Sequence, residues 1–522
     1  MKNNIIKFFA IVFLFQITGC TSDFDETNTN PNTLTSDQLD ATMAGPAFAN
    51  ALYKGIGNAS WSLPGDDYGT YGLATALHSM IFTHYMGYTG GAATDVNGIN
   101  DGWRSRGWLR FYTLAVPSLL NSYKAANGNA EATAILDIWK VYMFHRFTDE
   151  WGPVPYSQAG IGGSTVAYDS QEDMYADFFK LLEAANTTLS TTSQTTVGVF
   201  KDYDAIYSGN VEKWRKFANS LRLRLALRIS DKDASRAKIQ AEAAVAAGVM
   251  QSNDDSAYYK VTKDTYNNFV DIMKYWGFCM TADMESMLKG YNDPRMQIWF
   301  SPVTDNTSAY VGQYVGLPNG IGTSISWSKD LSGTNQVTTF SDNVTKNIEV
   351  MMASESNFSR SEGVLLGWNM SGAAKTLYED GIRLSMQQWG VTDNTAINAY
   401  IAGTTTGAVP TFGSMYSDPT PPVNVPVAWA ASASDQKKQI AVQKYLGLFP
   451  ESWEAWSDLR RTDAAILYPL ITTLDPTIGK GVMRRLTYLP DEYSTNAAAV
   501  ANAITLLGGP DTGATRVWWD TK

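Results

Sequence analysis

A mostly α-helical body joined to a loop-rich, irregular half is what the sequence predicts, and two patterns predict it. Long segments repeat apolar side chains at three- and four-residue spacings, the pattern of a helix with one buried face. Between residues 259 and 347 that spacing fades into Gly, Ser, Thr and Asn, over a stretch too long for a plain connection. Of the 522 residues, 44% are hydrophobic and 17% charged, so the chain can bury a large core and reads as globular rather than disordered.

Residues 1–19 form a leader. Lys2 and Lys7 make its start basic, and "FFAIVFLF", Phe8 to Phe15, is an apolar run of secretory-signal length, too short to span a bilayer. The run leads into "ITGC", Ile17 to Cys20, which looks like a bacterial lipoprotein cleavage box with Cys20 as the acylated first residue of the mature chain. Each buried methylene of such acyl chains contributes about 0.8 kcal/mol, so several chains make a stable anchor. Residues 20–37, with "TSDFDETNTNPNTLTS", hold almost no aliphatic side chains and are expected to be a flexible tether. Asp23, Asp25 and Glu26 in that tether resemble the acidic signals that send lipoproteins to the cell surface. Cys279 is the only other cysteine, so an exported chain gains no intramolecular disulfide and depends on its core. The formal net charge of −11 argues against a nucleic-acid partner, whose phosphates require clustered Lys and Arg.

Residues 38–522 are expected to form one domain. From about Gln38 to Gly248 amphipathic helices follow one another. "AILDIWKVYMFHRF" places Ile135, Ile138, Trp139, Tyr142 and Phe147 on one stripe, "QEDMYADFFKLLEAANTTL" does so with Met174, Phe178, Leu181 and Leu182, and "KWRKFANSLRLRLALRIS" with Trp214, Phe217, Leu221, Leu225 and Leu227. Their lengths suit antiparallel pairs like those of tetratricopeptide repeats, although no clean repeat period shows. Helical patterns return at "AAKTLYEDGIRLSMQQWG" and from Asp435 onward, and the tail adds one more helix before "RVWWDTK".

"LFPESWEAWSDLRRT", Leu448 to Thr462, gathers indoles, carboxylates and guanidinium groups as an active site would. Pro450 and Glu451 suit a first helical turn, after which Trp453, Trp456 and Arg460 share one face. The reading favoured is framework: indoles in the core, with Arg460 or Arg461 tying down carboxylates or carbonyls through a fork of donors.

"FHRFTDEWGPVPYSQA", "YDSQEDMY", "GNVEKWRKFANSLRLRLALRIS", "YEDGIRLSM", "QKYLGLFPESWEAWSDLRRT" and the closing "WWDTK" occur in this order from Phe144 to Lys522, behind the lipoprotein box. Together they resemble the SusD/RagB family of outer-membrane nutrient-binding lipoproteins, over most of the mature chain. The resemblance implies a SusD-like single domain, mostly α, with tetratricopeptide-like helix pairs packed on a loop-rich irregular half. It also implies no catalysis and no cofactor, a SusC-like TonB-dependent transporter as partner, and a lipid-anchored place on the outer membrane facing the cell exterior. Two stretches depart from the family pattern. "RRTDAAILYP" stands where relatives often have RRTG, and "MMASESNFSRSEGVLLGW" where they carry a helix richer in Ala and Glu. The shared motifs are scaffold, so none transfers a ligand contact.

Oligosaccharide capture needs flat aromatic faces beside amide or carboxylate groups, and aromatics make up 12% of the chain. Those at helical spacing, such as Trp139 and Trp214, are core. Loop aromatics are the candidates: Trp103, with Asn100 and Asp101, in the Gly-rich "TDVNGINDGWRSRGW" ahead of a helix; Trp276, Tyr310, Tyr314 and Trp327 in the central irregular region; and Trp61 and Tyr71 in "WSLPGDDYGTY", which also reads as a turn set by Pro and Gly. "DVNGIND" has a calcium-loop flavour, but Ile99 and Arg106 stand where an EF-hand needs ligands. His78, His84 and His145 are spaced against a zinc site. A hydrolase would need two carboxylates about 5 to 10 Å apart, and acids such as Glu355, Glu362, Asp66 and Asp67 have no spacing that singles out a pair. The alternative cargo is peptide, held by backbone pairing and charged pockets.

Overall fold

The computed structural model describes residues 39–57, 70–163, 165–262, 265, 267–334 and 346–522. The expected leader and tether, with Cys20, and also Trp61, Asp66 and Asp67 lie outside the described residues.

The helical body starts with α1 (Ala44–Gly55), α2 (Asp101–Arg110) and α3 (Val116–Ala125). It continues through α4 (Ala130–Trp151), α5 (Gln171–Thr191), α6 (Val211–Arg228) and α7 (Ala234–Ala247). Short polar side chains start the last four: Asn129, Ser170, Asn210 and Asp233 each accept a hydrogen bond from a first-turn amide, which satisfies a donor the helix itself cannot. The helices pack in succession, α4 on α5, α5 on α6 and α6 on α7. Trp139, Phe178, Trp214 and Phe217, all fully buried, fill one core between them.

The region from 259 to 347 is less loop-like than its composition predicts. It holds α8 (Asn268–Tyr275) and α9 (Ala282–Gly290) besides loops. Both are short, which is why no long apolar stripe announced them, and both are capped by polar side chains, Asn267 and Thr281. Strand β2 (Ala257–Tyr259) pairs antiparallel with β4 (Ile348–Met351) at the two ends of the region, and β1 (Gly87–Tyr88) pairs with β3 (Phe278–Cys279).

Helices α10 (Ala353–Leu365), α11 (Ala374–Gln388), α12 (Ala433–Leu448) and α13 (Ser452–Thr462) close the second half. "ASESNFSRSEGVL" is thus a helix despite its serines, because every residue from Ala353 to Arg360 is buried, with α11 and α12 packed against it. Pro450 and Glu451 fall outside α13 rather than in its first turn. Glu451 has ψ 74 and its amide donates to the Leu448 carbonyl, so these two residues make the turn between α12 and α13. No helix among the described residues is long and apolar enough to cross a membrane.

Candidate ligand-binding face

Tyr310 and Trp327 lie in the irregular half and close on a third ring, Phe412, from two sides. Their centroids are 5.4 and 4.8 Å from that of Phe412, at interplanar angles of 76° and 61°. These edge-to-face arrangements are favoured by the ring quadrupoles. The three rings are half-buried on a small apolar floor of Cys279, Val303, Val315, Leu317 and Leu331. Neither the Tyr310 hydroxyl nor the Trp327 indole N–H has a hydrogen-bond partner among the described residues. The cluster therefore offers ring surface together with free polar handles.

Phe412 was not singled out from sequence. It sits in the irregular segment between Ile401 and Ala433, whose Gly, Pro and Thr content resembles that of the 259–347 region. The same reasoning applied to that segment would have found it.

The other candidates pack elsewhere. Trp103 is inside the first turn of α2 rather than ahead of it, half-buried against a second core that includes Leu77, Met80 and Ile382, and edge-on to His78 at 6.5 Å. Asn100 caps that helix by accepting from the Trp103 amide at 3.1 Å, and Asp101 pairs with Arg104 at 2.6 Å. Both side chains thus hold the start of α2. Trp276 follows α8 and closes over Gly72. Tyr314 packs on the same second core. Tyr71 belongs to a π-helical segment, Thr70–Ser79, not to a turn, and meets Phe269 edge-on at 6.5 Å. Tyr310 and Trp327 are brought together; Trp103, Trp276, Tyr314 and Tyr71 share a different core.

Of the acids named for a hydrolase, Asp66 and Asp67 lie outside the described residues, and Glu355 and Glu362 are occupied. Glu355 takes both ends of the Arg224 guanidinium at 2.7 and 2.6 Å, and Glu362 those of Arg461 at 2.7 and 2.8 Å. The three histidines are apart: His84 contacts Asp283 at 2.7 Å, His78 the Leu73 carbonyl, and His145 is buried beside Arg224. Among the described residues no cluster of His, Cys, Asp and Glu fits a metal ion.

Helix α13 turns out to be a hub of buried charge. Arg460 donates to the carbonyls of Asp149 and Arg484 at 2.8 and 2.6 Å, Arg228 pairs with Glu454, and Lys444 with Asp458 at 3.0 Å. The Glu451 carboxylate makes no hydrogen bond or ion pair with a described residue. Burial pushes the Glu451 carboxyl up to about 7 and that of Glu150 to about 8, and holds His145 and His78 neutral, down to about 3 and about 4.

These shifts set the pH dependence of stability. The folded chain keeps protons on Glu150 and Glu451 that the unfolded chain releases near 4.5, so their contribution is complete below that pH and lost as pH rises through about 7 and about 8. The two histidines act oppositely, but only below their unfolded value near 6.5. The expected result is a melting temperature that falls between about pH 6.5 and 8.5, with a shallower fall in Glu451→Gln. Thermal melts across that range check it, and an equally steep fall in the variant would show that Glu451 is not a source.

Residues 26–520 match the family model for SusD-like outer-membrane lipoproteins, SusD and RagB. The chain belongs to the SusD/RagB family. A chitin-binding SusD homologue from Flavobacterium johnsoniae is 35% identical, with a TM-score of 0.82 over 92% of this chain and 99% of that one. A SusD-like protein from Bacteroides thetaiotaomicron is 26% identical, with a TM-score of 0.80 over 92% and 99%. A further chitin-binding protein is 26% identical, with a TM-score of 0.75 over 92% and 100%. No curated protein matches the chain. In this SusD-like protein, as the family resemblance implied, α13 and its arginines are scaffold.

Proposed function

We propose that this SusD-like protein is a non-catalytic glycan-capture lipoprotein, held to the outer membrane through Cys20 and exposed at the cell surface, which passes oligosaccharide to a SusC-like TonB-dependent transporter. The observation that carries the reading is the Tyr310, Phe412 and Trp327 cluster, with an indole N–H and a phenol that no described residue engages. Sugars stack their C–H faces on such rings and meet donors with their hydroxyls. The pairing of Glu355 and Glu362 with buried arginines supports a role without catalysis. Two structural relatives are described as chitin-binding, so chitin oligosaccharides are the glycan class to offer first.

Calorimetry on a soluble form starting after Cys20 tests this. Heat is expected with chitin oligosaccharides, and Trp327→Ala is expected to weaken binding by about tenfold or more, in line with the loss of a buried aromatic anchor. No heat with a broad glycan panel would remove the sugar reading. Heat with peptides alone would favour the other cargo.

A further inference from the structure

The calcium-like stretch "DVNGIND" has a different use in the fold. Asp95, half-buried near its start, spends both carboxylate oxygens on backbone amides of another segment. Oδ1 accepts from Gly320 at 3.0 Å, and Oδ2 from Ile321 at 2.8 Å and Gly322 at 2.9 Å. Three successive amides can converge on one carboxylate where the backbone alternates handedness, as in an anion-binding nest. Here Gly320 and Gly322 supply it, with φ +90° and +71°.

The captured turn leads directly to the aromatic face. After Gly322 the chain passes against Gly91, the Ile325 amide donates to the Thr89 carbonyl at 3.1 Å, and Trp327 follows. Downstream, the Ser332 hydroxyl accepts from the Val315 amide at 2.9 Å. Trp327 therefore hangs between fixed points: upstream the Ile325–Thr89 bond and, before it, the turn whose three amides Asp95 holds and whose carbonyls at Asn319 and Gly320 accept from the Ile471 and Thr472 amides. The neighbouring Asn97 extends the same hold, donating to the Gly479 and Gly481 carbonyls at 3.1 and 2.9 Å.

We propose that Asp95 is the positioning residue of the ligand-binding face, a carboxylate clamp on the 320–322 turn that presets Trp327 against Phe412. This rests on the reading of that face as the glycan site. Without the clamp, the turn has to be ordered when ligand arrives, and affinity falls by the cost of that ordering. Asp95 itself contacts no ligand in this account.

The test combines Asp95→Ala and Asp95→Asn with amide hydrogen exchange, thermal melts and calorimetry with chitin oligosaccharides. In Asp95→Ala, exchange at Gly320, Ile321 and Gly322 is expected to rise at least about tenfold, glycan affinity to fall about tenfold, and the melting temperature of the helical body to stay close to wild type. Asp95→Asn, which retains one acceptor oxygen, is expected to lie between. Unchanged exchange at those amides would overturn the clamp. Faster exchange with unchanged affinity would overturn the positioning role while Trp327→Ala still reports the site. A wild-type protein that binds no glycan would overturn the reading of the face, and the positioning role with it, whatever the exchange shows.

Discussion

Trp456→Ala is expected to cost about 3–5 kcal/mol of folding stability while glycan affinity per folded molecule stays at the wild-type value. The side chain is fully buried, its ring 5.1 Å from that of Phe82, and its indole N–H donates to the Met483 carbonyl at 2.7 Å. The Arg460 guanidinium lies over the same ring at 3.9 Å. Truncation thus opens a cavity, strands a carbonyl and removes a cation–π contact, three losses that act on the scaffold alone. Urea denaturation measures the first effect and calorimetry the second. A variant that stays as stable as wild type but no longer binds would move the ligand site to α13.

Glu355→Ala is expected to destabilise by a similar amount, about 3–5 kcal/mol, because it leaves a buried cation uncompensated. Arg224 and Glu355 have side-chain exposures of 3% and 1%, and Glu454 approaches Arg224 only at 3.6 Å. The partner change discriminates: Arg224→Met with Glu355→Leu removes both charges and is expected to recover most of the loss, since a buried pair contributes little net stability over an apolar replacement. If the double variant were as unstable as the single one, the loss would come from packing rather than from the orphaned charge.

The parts of this structure legible in the sequence are those with a period. The stripes through Trp139, Phe178 and Trp214 announced α4, α5 and α6, and the face shared by Trp453, Trp456 and Arg460 announced α13 as framework. Helices α8 and α9 were missed because eight or nine residues span too few turns for a stripe to separate from loop composition. The candidate aromatic cluster was half legible for a related reason. Composition marked Tyr310 and Trp327 as loop aromatics, but their meeting with Phe412 depends on contacts between segments far apart in the chain, which no local pattern encodes. Asp95 shows the same limit: its spacing resembled a metal loop, while its real partners are amides 225 to 227 residues away.

Because the aromatic face draws its central ring from one segment and its two flanking rings from another, the proposed glycan site cannot be transplanted as a single loop. Grafting the 303–332 segment of this protein onto a relative would carry Tyr310 and Trp327 without Phe412 to seat them. If the proposed site holds the cargo, its redesign exchanges both segments together, with the residue at position 95 matched to the incoming turn.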